Sequence, residues 1–350
     1  TKGGFRTKKE CELAAAELER KLNQGYDVSA SEQLFSEYMR RWFETYHKGK
    51  HNDKKHESDI ERSVKLVEEH FEGVKMKDLN RDMYQDFLNK LAPKYSQETI
   101  RKRHLYIKLA LLDAIEDGII VKNPTHRVVV RGLKPAKDEE AKYLNYEETK
   151  KLVNEVKKKM TPRYISRFII LFAIATGARF SEILGLTWDC VDFKNKTITI
   201  NKKWDRDSKD FGDTKNFASK RTITIDEDTL KLLSKLKHYQ NKIAIRTGLR
   251  NEKNLVFINS KFQLVTNEAV NKTLKRLCKM AGVKEITCHC LRHTHASILL
   301  YQGVNIKYIS RRLGHKDIVT TLQTYSHIMD EMEQKESRVV DETMKQLYEP

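Results

Sequence analysis

The stretch CHCLRHTH at residues 288–295 says more about the fold than any other part of the chain, and LGH at 313–315 and TYSH at 324–327 follow it. It concentrates two cysteines, three histidines and one arginine in eight residues. Three interpretations compete for such a stretch: a metal site, a packed core helix and a site that binds and attacks a phosphate. Each makes different demands on the neighbouring residues.

A metal site would use His289 and His293, which lie at i and i+4 and share one face of a helix. A metalloprotease helix needs a glutamate base between its two histidines, but Cys290 and Leu291 occupy those positions here. Arg292 would also bring a positive charge towards a cation. Core packing explains Leu291 but not so many ionisable side chains. We therefore expect no metal.

A phosphate site fits the same residues better. His289 and Arg292 lie at i and i+3, so an imidazole and a guanidinium can meet one anionic group. A second arginine, Arg179, follows Gly177 in ATGARFSE at 175–182, and Glu182 lies three residues later, where it can orient Arg179. Together with a tyrosine, two arginines and two histidines can neutralise a phosphodiester and attack it without a metal ion.

Composition points to a polyanionic partner. The chain has 350 residues with 67 Lys+Arg against 49 Asp+Glu, a formal net charge of +18. Nucleic acid is the commonest such partner of a cytosolic protein. Five cysteines at scattered spacings fit a reducing cytosol. We expect a bacterial cytoplasmic protein without a membrane segment or a secretory signal. Because the chain begins with Thr1 and not with a methionine, we also expect it to be a fragment.

The first part of the chain predicts only helices. One amphipathic helix covers residues 7–24, and four helical patterns follow between residues 29 and 120. The last of these carries a basic face, which we take as a candidate DNA contact together with a basic segment after it. The candidate DNA-binding residues are Arg101, Lys102, Arg103, Arg127, Arg131 and Lys134.

The second part predicts a mostly helical domain with one small sheet. The pattern between residues 121 and 142 is that of an extended linker. From residue 143 on, helices surround two alternating segments, at 197–202 and 221–225, that predict strands. The fold class is therefore mainly α with a small β-sheet, and a basic linker between two basic domains predicts a clamp around a DNA duplex.

At its chemical motifs the chain resembles the tyrosine recombinases of the phage integrase family, and in particular integrases of temperate phages and conjugative transposons. The resemblance rests on TGARFSE at 176–182, HCLR at 289–292, LGH at 313–315 and Tyr325, in the order and spacing of that family. It covers the helical part, the linker and the remainder of the chain.

The resemblance implies a division of the chain into domains. Residues 29–120 correspond to a helical, SAM-like core-binding domain, 121–142 to the interdomain linker and 143–328 to an α+β catalytic domain. Residues 1–28 would be the end of an arm-type DNA-binding domain with its linker helix. Residues 329–350 would form a C-terminal tail helix that docks on a neighbouring protomer.

The resemblance also implies DNA strand exchange through a covalent 3′-phosphotyrosyl intermediate, without metal, ATP or another cofactor. Tyr325 would be the nucleophile. Arg179 and Arg292 would hold the non-bridging oxygens, His315 would add a hydrogen bond, and His289 would accept the proton of Tyr325.

The family's catalytic lysine lies in the turn of a β-hairpin and protonates the leaving 5′-oxygen. The corresponding hairpin here covers residues 201–225. Lys215 fits the family position best, and Lys220 is the rival because a long insert loosens the alignment.

The leading functional hypothesis is an integrase that inserts and excises a mobile genetic element. We expect double-stranded DNA as the substrate, a homotetramer on DNA, a monomer in the free form, and an accessory DNA-bending or excision factor. The alternatives are a non-catalytic basic DNA-binding protein and a topoisomerase-like relaxing enzyme with the same tyrosine chemistry.

Overall fold

The computed structural model describes residues 4, 6–23, 26–50, 54–135, 143–214, 217–326, 340 and 344–348. The chain divides into two compact units, Thr1–Ala136 and Lys137–Pro350, here called the N-terminal and the C-terminal unit.

Regular structure in the described part of the N-terminal unit is helical, as the sequence predicts. Its α-helices are α1 (Lys8–Asn23), α2 (Val28–Ser31), α3 (Phe35–Tyr46), α4 (Lys54–His70), α5 (Arg81–Leu91) and α6 (Gln97–Glu116).

The core of the N-terminal unit lies between α3, α4, α5 and α6. Apolar residues at helical spacing are fully buried there, among them Met39, Val64, Leu88 and Ile107. Helix α5 begins after Asn80, whose side chain accepts a hydrogen bond from the backbone N–H of Met83. Local capping and a periodic apolar stripe thus account for these helices.

The basic segment after α6 packs on the N-terminal unit. The backbone N–H of Leu133 donates to the carbonyl of Ala92 at 2.8 Å. A Cβ on Gly132 would clash with the backbone nitrogen of Gln97, so only glycine allows this approach. Residues 121–135 therefore belong to this unit, whereas the rest of the predicted linker, 136–142, lies outside the described residues.

Helices dominate the C-terminal unit. They are α7 (Tyr146–Lys158), α8 (Ile165–Thr176), α9 (Phe180–Leu184), α10 (Glu227–Thr247), α11 (Asn267–Ala281), α12 (Cys288–Tyr301), α13 (Ile306–Leu313) and α14 (residues 318–326). Helix α8 is apolar on nearly all sides and packs against α7, α10, α11 and α12. A helix of this kind has to lie in the centre of a unit.

Strands in the C-terminal unit form two small antiparallel sheets rather than the one that the sequence predicts. The first has the order β1 (Val191–Asp192), β2 (Thr197–Ile200), β5 (Arg221–Thr224). The second is a hairpin of β3 (Lys203–Asp205) and β4 (Asp210–Gly212), nested in the connection between β2 and β5. The predicted hairpin over 201–225 is thus a β2–β5 pair with an inserted hairpin.

Most of the predicted tail helix at 329–350 lies outside the described residues. Of this segment, residue 340 and residues 344–348 are described, and 344–348 form one exposed helical turn.

Candidate active site

Arg179 lies in the turn between α8 and α9. Helix α8 ends at Gly177, which has a φ of 65°, and Arg179 is the N-cap of α9. Its Nη1 donates to Oε1 of Glu182 at 2.6 Å, and its backbone N–H donates to Oε2 at 2.9 Å. Glu182 thus orients Arg179, as the i, i+3 spacing predicts.

Arg292 projects from the second turn of α12 into the interior, where it is 4% exposed. Its Nη1 donates to the carbonyl of Gly177 at 2.8 Å and its Nη2 to the carbonyl of Leu313 at 2.7 Å. Burial, followed by the charge of Arg179, lowers the pKa of Arg292 to about 9. At neutral pH the guanidinium remains charged, and it links the α8–α9 turn to the end of α13.

Arg221, which the sequence did not single out, is the third guanidinium of the site. Its Nη2 donates to Oε2 of Glu182 at 2.9 Å, its Nε to the carbonyl of Arg312 at 2.6 Å and its Nη1 to the carbonyl of Ser219 at 2.9 Å. The alternation RTITI at 221–225 could have indicated its inward direction, because Arg221 shares a strand face with the buried Ile223.

Glu182 is the carboxylate that holds two of these arginines. It is 3% exposed. Burial alone would raise its pKa, but the charges of Arg221 and Arg179 outweigh burial and hold the pKa of Glu182 below its ordinary value. Three guanidinium groups around one carboxylate leave a net positive site.

His315 follows α13 and stands on the same side as the arginines. Its Nδ1 and the hydroxyl of the buried Thr321 on α14 share a hydrogen bond of 2.7 Å. Burial and the charges of Arg292, Arg179 and Arg221 lower the pKa of His315 to about 4, so its ring is neutral at pH 7. A neutral ring held at Nδ1 presents Nε2 as its second hydrogen-bonding atom.

Tyr325 lies on α14 and is 2% exposed. Its hydroxyl shares a hydrogen bond of 3.1 Å with Nδ1 of His293, not with His289 as the sequence led us to expect. Burial raises the pKa of Tyr325 to about 12, and the charge of Arg292 opposes this rise.

His289 lies at the start of α12 and is exposed. Its ring stands edge-to-face with that of His293, with 5.1 Å between the centroids. Partial desolvation, followed by the charges of Arg292 and Arg179, lowers the pKa of His289. His289 therefore lies within the electrostatic influence of both guanidiniums.

Of the two candidate lysines, the structure describes Lys220. Lys215 lies outside the described residues. Lys220 is half-exposed, with its Nζ 3.6 Å from a carboxylate oxygen of Asp213. It borders an open cavity of about 380 Å³ next to His315. The other cations at this cavity, none of them foreseen, are Arg221, Lys307, Arg311 and Lys316.

The predicted DNA-binding residues of the N-terminal unit fall into two groups. Exposed ones are Arg101, Lys102, Arg127, Arg131 and Lys134. Arg103 corrects the expectation of a uniform basic face, because it is buried and its guanidinium bonds to the backbone carbonyl and the carboxylate of Asp59. Helical periodicity turns Arg103 towards α4 and away from any duplex on the exposed side.

Two further features are absent from the described part of the chain. There, no three His, Cys, Asp or Glu side chains are grouped so that they could hold a metal ion. None of the described helices is long and apolar enough to span a membrane.

Two family profiles match the chain. The profile described as the phage integrase family matches residues 142–332, and that described as the phage integrase SAM-like domain matches residues 34–128. The first covers the whole constellation of Arg179, Glu182, Arg221, Arg292 and Tyr325.

Individual proteins resemble the chain over most of its length. A tyrosine recombinase XerC-like protein of Caldanaerobacter subterraneus subsp. tengcongensis is 28% identical, with 98% of this chain and 90% of that protein covered. The integrase of Staphylococcus phage L54a is 27% identical, with 72% and 76% covered.

Solved structures share the fold. The Tn1549 transposon integrase in complex with transposon right end DNA gives a TM-score of 0.67 at 20% identity, with 86% of this chain and 99% of that chain covered. A lambda integrase tetramer bound to a Holliday junction gives a TM-score of 0.64 at 15% identity, with 90% of each chain covered.

Proposed function

The chain belongs to the phage integrase family, and from this premise we propose that Tyr325 cleaves DNA by attacking a phosphodiester that the arginine cluster holds. As a member of that family it is a tyrosine-type site-specific recombinase, an integrase. One observation carries the proposal. The Tyr325 hydroxyl shares a hydrogen bond with His293, the residue that directly follows the buried Arg292.

The arginines and histidines would bind the scissile phosphate. Arg179 and Arg292 each keep N–H groups beyond those bonded within the protein, because a guanidinium carries five donors. These groups can contact the two non-bridging oxygens and stabilise the charge of the pentacoordinate transition state. His289 and His315 would add hydrogen bonds, and Glu182 would keep Arg179 in place.

Cleavage would then proceed as a transesterification. The Tyr325 hydroxyl gives its proton to a neighbouring imidazole as its oxygen forms a bond to phosphorus, the bond from phosphorus to the 5′-oxygen breaks, and a lysine donates a proton to that oxygen. Lys215 is the proposed donor and Lys220 its rival. A 5′-hydroxyl from a second strand reverses the step, so the phosphotyrosine stores the energy for rejoining.

DNA binding beyond the scissile phosphate would involve both units. We propose phosphate contacts from Arg101, Lys102, Arg127, Arg131 and Lys134, without Arg103, and from Lys220, Lys307, Arg311 and Lys316 around the cavity beside His315. The net charge of +18 supports this proposal. That the two units close on the duplex as a clamp stays a prediction.

The domain assignment and the assembly are part of the same proposal. Residues 29–120 would be the core-binding domain, 143–328 the catalytic domain, 1–28 the end of an arm-type domain and 329–350 an exchanged tail. The protein would act on DNA in the bacterial cytoplasm as a tetramer, be monomeric when free, and use an accessory factor for excision. The DNA-bound lambda integrase tetramer supports the oligomeric part.

A suicide substrate tests the chemistry. DNA from the ends of the mobile element, nicked beside the candidate cleavage site, is incubated with the protein in EDTA and run on a denaturing gel. We expect a protein–DNA band that survives SDS with the wild type and with Tyr308→Phe, an exposed tyrosine of α13, but not with Tyr325→Phe.

Two outcomes would contradict the proposal. An adduct with Tyr325→Phe would mean that another side chain is the nucleophile. No adduct with the wild type on DNA that it binds would favour a non-catalytic binding protein.

A further inference from the structure

The hydroxyl of Tyr325 and the ring of His293 meet between two helices. His293 lies on α12 and Tyr325 on α14, 32 residues later, and their 3.1 Å contact joins Nδ1 to the phenolic oxygen. The two rings are 5.8 Å apart between centroids and tilted by 56°, so the contact is made at the ring edge, where a proton can pass.

His293 and Arg292 are consecutive residues of α12, and their side chains have different partners. Successive side chains of a helix point about 100° apart. Arg292 points to the carbonyls of Gly177 and Leu313, and His293 points to Tyr325. One turn of α12 thus carries a phosphate-binding group and a group bonded to the nucleophile.

The nucleophile needs a proton acceptor in its own environment. Because Tyr325 is 2% exposed, bulk water does not reach its hydroxyl freely. Burial also raises the pKa of Tyr325, so the phenol is protonated at neutral pH. A phenol becomes a competent nucleophile only when a neighbouring base takes its proton as it attacks.

Resting on the proposed function, we propose that His293, and not His289, accepts the proton of Tyr325 in the cleavage step. The phenolic O–H bond breaks and an N–H bond forms at Nδ1 of His293, whose proton in the neutral ring is on Nε2. In the same step the phenolic oxygen bonds to phosphorus and the 5′-oxygen leaves with a proton from the lysine. Rejoining reverses each transfer, so protons and bonds balance.

His289 then has a role that matches its surroundings. It is exposed at the start of α12, and the charges of Arg292 and Arg179 lower its pKa. An exposed imidazole within the electrostatic influence of two guanidiniums is available to the oxygens of the phosphate, whereas the phenol is bonded to His293. The edge-to-face contact between the two rings holds His289 next to His293 but away from the hydrogen bond that His293 shares with Tyr325.

The test compares His293→Ala, His293→Asn and His289→Ala in the full chain on the suicide substrate, with the wild type and Tyr325→Phe alongside. Asparagine can accept the tyrosine hydrogen bond at about the position of Nδ1 but cannot take the proton. We expect both His293 variants to form the adduct about 10²–10⁴-fold more slowly while DNA affinity is unchanged. Imidazole in solution should accelerate His293→Ala and have no effect on Tyr325→Phe.

A substrate with sulfur in place of the bridging 5′-oxygen separates the base from the acid. A thiolate leaves without a proton, so this substrate should restore cleavage to a variant that lacks the catalytic lysine. It should not restore cleavage to His293→Asn, because the phenol still has to lose its proton.

Each contrary outcome has a distinct meaning. Adduct formation by His293→Asn at the wild-type rate would overturn the proposal and leave His293 as a hydrogen-bonding group alone. A large loss in His289→Ala with little loss in His293→Ala would return the proton to His289. Absence of an adduct in the wild type would refute the proposed function itself, and this inference with it.

Discussion

Arg221 is central to the arrangement of the site, because its three nitrogens bond to Glu182 on α9, to Arg312 on α13 and to Ser219 just before its own strand. Lysine has one ammonium on a flexible stem and cannot make the same fork. We expect Arg221→Lys to leave Glu182 and Arg179 displaced by about 1 Å and to slow adduct formation by about 10²-fold, with DNA affinity retained. The suicide-substrate rate and a binding isotherm measure the two effects.

Arg206→Lys is the matched control for that change. Arg206 is 55% exposed and its guanidinium lies 3.4 Å from Glu268 on the surface of the same unit. This substitution should alter neither quantity. Equal losses of cleavage and DNA binding in Arg221→Lys would show that Arg221 contacts DNA rather than positions its neighbours.

His295 makes the stability of the C-terminal unit dependent on pH. It is buried, its Nδ1 bonds to the carbonyl of Ile174 at 2.8 Å, and its Nε2 accepts from Nε of Arg312 at 3.1 Å. This pair of bonds requires the neutral ring with its proton on Nδ1. Burial, with the charge of Arg312, accordingly lowers the pKa of His295 to about 3.

Folding lowers the pKa of His295. Its contribution to the free energy of unfolding is therefore present above the unfolded pKa of about 6.5 and is lost as the pH falls towards the folded pKa. Between pH 7 and pH 5 the unfolded chain gains a proton at this position and the folded protein does not. We expect the free energy of unfolding to fall by about 2 kcal/mol over that interval from His295 alone. His315 acts in the same direction.

Denaturant unfolding at several pH values measures this dependence. His295→Gln should be less stable than the wild type at pH 7 and show a shallower pH dependence. An unchanged slope in His295→Gln would mean that His295 is protonated in the folded protein.

At the scale of elements, two helices of the C-terminal unit end on a glycine in the same conformation but in different surroundings. Gly177 ends α8 with a φ of 65° and Gly282 ends α11 with a φ of 64°. A Cβ on Gly177 would lie 2.7 Å from Cδ2 of His295 and 2.8 Å from Cδ2 of Leu313, whereas nothing lies within 4 Å at Gly282.

Alanine at the two positions should therefore separate backbone strain from overpacking. Both substitutions cost about 1–2 kcal/mol for the left-handed backbone. Gly177→Ala should lose about 1–3 kcal/mol more, because the site around His295 is closely packed. Denaturation midpoints measure the difference, and equal losses would show that the neighbouring side chains move aside freely.

At the scale of the whole molecule, electrostatics should dominate DNA affinity. Each phosphate contact releases counterions, so the logarithm of the affinity should fall linearly with that of the salt concentration. We expect Arg131→Ala to reduce the slope by about 1. Lys235→Ala removes the same charge from α10, where no contact is proposed, and should leave the slope unchanged.

A slope equal to that of the wild type in Arg131→Ala would remove this residue from the interface. A slope lowered equally by both substitutions would show that net charge matters and that specific contacts do not.

The sequence anticipated the helices well because their causes are local. Helix α5 begins where Asn80 caps it, α8 ends where Gly177 adopts a positive φ, and apolar stripes define the buried faces. The nested hairpin β3–β4 was missed because three-residue strands leave too short a period to be recognised. Arg103 was wrongly predicted to contact DNA, because a run of basic residues does not show which side of the helix each residue faces.

Residue types and their spacing are enough to identify the family, the order of its motifs and a positive charge that suits a polyanionic partner. The contacts between distant side chains are visible in the folded unit alone: His293 meets Tyr325 across 32 residues and Arg221 meets Glu182 across 39. Local periodicity fixes the direction of a side chain on its own helix or strand. The partner it finds depends on how distant segments pack, and that packing is a property of the whole folded unit.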